Sequence, residues 1–175
     1  MAMHDVAAAM RRVETVLRRR PDMGLHDDAP ATALWQGGTR VLASHANGTT
    51  MSTDMPDELG GSGDQVTPGW LFRAGIASCL ATTIAMAAAA EGIELTTLEV
   101  RAGSRSDTRG LLRMTGSDGE TVSARPQDMR LQVSISARGV LPGRLRALVE
   151  ACRHCSPMPN AVENIVPLDL RIDAT

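Results

Sequence analysis

The stretch TPGWLFRAGIASCLATTIAMAAAAEG, residues 67–92, decides the fold. Thr67 offers a capping hydroxyl, and Pro68 suits the first helical position, where no N–H is needed. Gly92 is a favoured residue just past a helix end. From Ala74 to Ala90 no side chain carries a charge. A helix that is apolar on every side is expected to be buried. At about 1.5 Å per residue it reaches roughly 35 Å, enough to cross a small domain. Most of its side chains are Ala, so another element can approach closely. The uncharged run falls short of the roughly 20 residues of a bilayer span, and Ser78, Thr82 and Thr83 interrupt it. The expectation is the core helix of a soluble protein, with the thiol of Cys79 inside it.

Working outward, Val6, Met10, Val13 and Leu17 make one apolar stripe of a helix over 4–20. Arg11, Arg12, Arg18, Arg19 and Arg20 cover its other faces, interrupted by Asp5 and Glu14. The pattern suits an amphipathic arm packed on its own domain or on a partner subunit, rather than a membrane or nucleic-acid helix. Residues 31–36 and 39–45 are expected to form a hairpin around Gly37-Gly38, with a third strand over 49–53. The Gly-, Asp- and Pro-dense run 54–65 is expected to be a loop.

Beyond the central helix, Leu98, Val100 and Ala102 share one face of a strand over 95–103. A weak strand is expected over 111–115. Residues 129–138 alternate cleanly, with Met129, Leu131, Val133, Ile135 and Ala137 on one face. Pro142 opens a second helix with Leu145, Leu148, Val149 and Cys152 on one side, and a short helix to Ile165 follows Ser156-Pro157. Residues 166–173 alternate again as a last strand. Segregated helices with alternating strands define an α+β fold with mostly antiparallel sheet.

Composition narrows the function. The aromatics are only Trp35, Trp70 and Phe72, too few for base-stacking platforms, and the net charge of −2 supplies no field for nucleic acid or anionic membrane. Three cysteines make no disulfide framework, and no secretory signal is read, which suits a reducing cytoplasmic compartment. No phosphate loop, zinc-protease His pair or nucleophile elbow occurs, so neither cofactor nor metal is expected.

Reactive chemistry therefore points to the thiols. Cys79 lies too deep in its helix for the dipole at the N-terminus to reach it. It reacts only if a cation or a strong donor comes from elsewhere; otherwise it is a small core residue. Cys155 sits just before a helix start, facing the positive end of a dipole. Cys152 and Cys155 form a C-x-x-C, but one that ends a helix. A structural zinc would need two more ligands, and His4, His26 and His45 are scattered without metal spacing, so a zinc or thioredoxin-type role is disfavoured.

Two local patterns go further. TPGWLFRAGIASCLA (67–81) and CSPMPNAV (155–162), with ELGG (58–61) ahead of the first and EGIEL (91–95) after it, together resemble the OsmC/Ohr family, in its OsmC-like branch. These are the osmotically inducible and organic hydroperoxide resistance proteins. The resemblance implies an arm and linker over 1–29 and an OsmC-like domain over 30–175. It implies an intertwined homodimer around buried central helices, acting as a thiol peroxidase on organic hydroperoxides. By position, Cys79 matches the attacking cysteine and Cys155 the resolving one. The resemblance also implies an external dithiol reductant, such as a lipoylated protein.

The chain departs from the family pattern at one place. The family's helper Glu, just after Thr-Pro, is Gly69 here, and no Arg occurs between Arg40 and Arg73. Arg73 lies about 240° around the helix from Cys79. A catalytically weak or inactive dimer that binds a small hydrophobic ligand or senses oxidants is therefore the rival expectation.

Overall fold

The computed structural model of the chain describes residues 3–164 and 166–174. The chain divides into two compact units, Ala8–Gly75 and Met1–Ala7 with Ile76–Thr175. The N-terminal helix α1 runs Met3–Arg19, acidic in its first turn and basic in its last, as its dipole favours.

The long helix α2 runs Pro68–Ala90. Thr67 caps it, its Oγ1 accepting from the Trp70 N–H at 3.2 Å. At the other end Gly92 takes φ +68°, the Gly92 N–H donates to the Ala89 carbonyl at 3.2 Å, and the Ile93 N–H donates to the Ala88 carbonyl at 2.8 Å. This is a Schellman closure, which only a residue tolerant of positive φ completes without strain. By length and composition α2 could also cross a membrane. The expectation that it is buried all round is corrected. Ile76, Leu80, Ile84 and Ala88 form a buried stripe with Ala89 beside it, while Met86 on another side is 41% exposed.

In the larger unit, strands β4 (Leu95–Arg105) and β5 (Gln127–Ala137) pair antiparallel, with Leu98 opposite Ile135, Val100 opposite Val133 and Ala102 opposite Leu131. That register puts every alternate apolar side chain on one face. Leu98, Val100, Leu131, Val133 and Ile135 pack against a core of Leu80, Ile84, Ala88 and Ile93 from the α2 region and Leu145, Leu148 and Cys152 from helix α4 (Pro142–Cys155). Arg144 of α4 pairs with Glu91 at 2.5 Å. Helix α5 follows at Pro157–Glu163.

In the smaller unit, β1 (Thr32–Gly37), β2 (Arg40–Ser44) and β3 (Thr50–Thr53) form an antiparallel meander. The loop after β3 is organised by Asp54, which is 3% exposed. Its carboxylate accepts from Thr39 Oγ1 (2.5 Å), Ser62 Oγ (2.7 Å), the Met55 N–H (2.8 Å), the Ser62 N–H (3.2 Å) and Arg40 Nη2 (3.2 Å). These donors, Thr39 and Ser62 above all, hold its carboxyl far below the usual carboxylate range. Arg40 also pairs with Asp64.

Two expected strands are absent among the described residues. Over 111–115 the chain instead ends a short helix α3 (Thr108–Leu111) and turns, keeping one bridge between Thr115 and Thr121. Residues 166–174 form no strand and are all exposed, although their alternation is that of a strand. A strand needs a partner edge, and this segment has none in one copy. Ile165, the expected end of the short helix, lies outside the described residues.

Two measurements test this packing. Ile84→Ala, at a site with 0% exposure, should cost about 2–5 kcal/mol in urea unfolding, against little change for Met86→Ala in a monomeric state. Asp54 has a depressed native pKa, so its stabilisation is fully present above the unfolded carboxyl value near 3.9 and is lost as pH falls toward the native value. Asp54→Asn should lower the melting point at neutral pH and flatten the acid side of the stability profile. An unchanged acid limb would contradict it.

Candidate thiol site at the α4–α5 junction

Sequence dictates a break after Cys155, because Pro157 cannot continue α4 and fits the first turn of a new helix. Ser156 closes one helix and opens the next: its N–H donates to the Cys152 carbonyl at 2.9 Å, and its carbonyl accepts from the Asn160 N–H at 3.0 Å. Pro157 has no N–H, so the first free donor of α5 belongs to Met158.

Both groups meet Cys79. Ser156 Oγ donates to Cys79 Sγ at 3.3 Å, and the Met158 N–H donates to the same sulfur at 3.5 Å. Ser156 is 0% exposed, and Cys79 is half-buried. One turn along α2, Thr83 Oγ1 donates to the Cys79 carbonyl at 2.9 Å and lies 3.3 Å from Ser156 Oγ. The donors needed by a thiol in mid-helix are thus present, and they come from the α4–α5 junction. Both are neutral dipoles.

The other two thiols differ. Cys152 is buried, its S–H directed at the Thr83 carbonyl at 3.8 Å. Burial first, then the neighbouring Cys155 and Glu91, pushes its pKa up, which makes it a packing residue. Cys155 is exposed, its Sγ 3.5 Å from the Cys152 carbonyl. The residue facing Cys79 is its chain neighbour, Ser156. The C-x-x-C therefore has one thiol in the core and one at the surface, and no group of His, Cys, Asp and Glu that could hold a metal ion occurs among the described residues.

Ser156 was missed by a reading that looked for nucleophiles. The Ser-Pro pair signalled a helix start, and a helix start implies unspent N–H donors. What the sequence could not supply was their target.

Gly69 and Arg73 lie in the smaller unit. A Cβ on Gly69 would stand 3.6 Å from Arg73 Nη1, an ordinary contact. Arg40 in the same unit is bound to Asp54 and Asp64. In the larger unit a cleft of about 360 Å³ opens beside the buried stripe of α2. Ile76, Leu80, Met129, Leu131, Val149 and Val162 line it, and Arg153, tied to Glu163 at 2.8 Å and Glu150 at 3.1 Å, stands at its polar side. Ile76 and Leu80 both lie to one side of Cys79 around the helix.

Fold and site define an α+β protein built on a long central helix, with one thiol of that helix held under donors from a helix–helix junction. Residues 61–171, more than half of the chain and including all three cysteines, match the family model described as OsmC-like protein. The chain belongs to the OsmC-like family. Among solved structures, it is similar to an OsmC-like protein from Mycoplasma pneumoniae, with a TM-score of 0.66 and 15% identity over 81% of this chain and 91% of that one. It is similar also to an organic hydroperoxide resistance protein OsmC from Legionella pneumophila, with a TM-score of 0.52 and 25% identity over 79% and 90%. A third is an organic hydroperoxide resistance protein from Elizabethkingia anophelis, with a TM-score of 0.57 and 20% identity over 81% and 91%. Among curated proteins, none matches.

The thiol geometry is open to direct measurement. Under native conditions a maleimide should label Cys155 first and Cys152 only after denaturation, read peptide by peptide in a mass spectrometer. Labelling of Cys152 as fast as Cys155 would contradict the packing of α4.

Proposed function

We propose that this protein is a thiol-dependent peroxidase that reduces organic hydroperoxides, with Cys79 as the attacking thiol. The observation that carries this reading is the pair of donors on Cys79 Sγ, the Ser156 hydroxyl and the Met158 N–H, in a half-buried site beside an apolar cleft. Hydrogen-bond donors aimed at the sulfur favour the form of cysteine that attacks. The similarity to hydroperoxide resistance proteins supports the same substrate class.

In the proposed cycle the Cys79 thiolate attacks the distal oxygen of the hydroperoxide. An S–O bond forms and the O–O bond breaks. The hydroperoxide's own hydrogen stays on the transferred oxygen, giving a sulfenic acid, and the departing alkoxide takes a proton from water to leave as the alcohol. The Cys155 thiol then condenses with the sulfenic acid, forming a disulfide and releasing water. An external dithiol, such as a lipoylated protein, returns both thiols by exchange. Cys155 is next in the chain to Ser156, and adjacent Cα atoms lie about 3.8 Å apart, so a turn of the junction would bring its thiol to where the hydroxyl now stands. The cleft would receive the organic part of the substrate.

The protein would act as a cytoplasmic homodimer. The two-stranded β4–β5 sheet and the exposed alternating residues Val166, Leu168, Leu170 and Ile172 both call for a partner edge. Sedimentation should give twice the monomer mass.

The cleft favours one rival, a dimer that binds a small hydrophobic ligand without turnover. Consumption of cumene hydroperoxide with a dithiol separates the two readings. The wild type should consume it, and Cys79→Ser should fall to the uncatalysed rate. Equal rates for the two proteins would remove the peroxidase. Cys155→Ser should trap Cys79 as a sulfenic acid detectable by dimedone. Disulfide-free turnover undiminished in that variant would assign resolution to the external thiol.

A further inference from the structure

We propose that Ser156 is a positioning residue for Cys79, its buried hydroxyl seated by donation from Thr83 and aimed as a donor at the sulfur. The inference rests on the reading of Cys79 as the attacking thiol.

Ser156 occupies the position that precedes α5, where a serine side chain ordinarily accepts from the N–H two or three residues on. Here it makes no such bond. The Met158 N–H that it could have taken goes to Cys79 Sγ, and Ser156 Oγ goes there too. The sulfur has replaced the serine oxygen as the acceptor that caps α5. A helix does not forgo its cap residue without another partner for the hydroxyl, since a fully buried hydroxyl must be bonded.

The hydrogen count shows what the arrangement can do. A hydroxyl has one hydrogen and can both donate and accept. Thr83 Oγ1 is the donor both to the Cys79 carbonyl at 2.9 Å and to Ser156 Oγ at 3.3 Å. The Ser156 oxygen accepts from Thr83, and its own hydrogen goes to the Cys79 sulfur at 3.3 Å. When the sulfur is charged, that bond becomes charge-assisted and stronger. Thr83 thus orients Ser156, and Ser156 aims a donor at the sulfur.

The test reads Cys79 directly, apart from turnover. Iodoacetamide alkylation of Cys79, followed by peptide mass spectrometry, is compared in the wild type, Ser156→Ala, Ser156→Thr and Thr83→Val. The ultraviolet thiolate absorbance of each is measured at one neutral pH, in a Cys155→Ser background. Ser156→Ala should alkylate about tenfold more slowly, the loss of one hydrogen bond to a charged group, with a parallel fall in absorbance. Ser156→Thr, which restores the hydroxyl, should recover most of the rate. Thr83→Val keeps the volume, and it should slow alkylation even if Ser156→Ala fails to fold. Equal rates and absorbance in the wild type, Ser156→Ala and Thr83→Val would overturn the proposal. If the wild type turns over no hydroperoxide while the alkylation contrast holds, the peroxidase reading falls and the positioning role stands.

Discussion

The packing of α4 against α2 is the contact on which the rest of the larger unit depends. Leu145, Leu148 and Cys152 recur at helical spacing and meet Leu80, Ile84 and Ala88. Such a contact is only as close as its bulkiest side chains allow. The small Cys152 sits where its S–H reaches a main-chain carbonyl of the other helix, that of Thr83, at 3.8 Å. The same contact supports the inner face of β4 and β5. It also fixes Cys152, and with it the chain that follows. The Ser156 N–H closes the last turn on the Cys152 carbonyl, which joins the α4–α5 junction to that packing. One apolar packing decision sets the geometry of the thiol site.

The two units handle polarity differently. In the smaller one, charge is met by charge: Asp54 and Asp64 around Arg40, with hydroxyl and amide donors filling the remaining acceptor sites. Burying a carboxylate this way is tolerable because every lone pair has a donor. Around Cys79 the donors are neutral, a hydroxyl and a main-chain N–H. A neutral donor costs less to bury than an ion when the sulfur is protonated, and it still bonds the sulfur when it is charged. A half-buried thiol on an apolar helix is better served by such dipoles than by an unpaired guanidinium, whose own desolvation would have to be met.

The central helix, its caps, the hairpin and the α+β class could be read from the chain because each rests on local pattern: Thr67-Pro68 at one end, Gly92 at the other, alternation in 129–138. The burial of α2 could not. Uniform apolarity says that every side wants a partner, not how many partners one copy supplies. Residues 166–173 fail for the same reason, since alternation states a preference for pairing and leaves the edge unnamed. At 111–115 the apolar run was short enough to suit either a turn or a strand. Cys79 was found by its motif, and its need for an outside donor by its depth in the helix. Ser156 was passed over because a hydroxyl carries no signature of its own. Its meaning came from a distance of 3.3 Å across a long sequence separation, which no local pattern encodes.

The apolar surface left open in one copy bears on the proposed dimer. Met86 on α2 and the exposed Val166, Leu168, Leu170 and Ile172 are not scattered singly. They belong to two elements whose sequence patterns ask for burial, one by uniform apolarity and one by alternation. Isolated exposed side chains need no explanation, but whole apolar faces do. A two-stranded sheet with free edges adds unpaired N–H and C=O groups to the same account. A second copy would meet all three demands at once, because the segment that lacks an edge and the sheet that has one occur in the same chain. Symmetry would then turn each deficit into its own complement. The thiol site needs no such completion for its donors: Cys79, Thr83, Ser156 and Met158 all lie within one unit of one chain. What association would govern is access, by deciding how much of the cleft beside Ile76 and Leu80 stays open to an organic substrate.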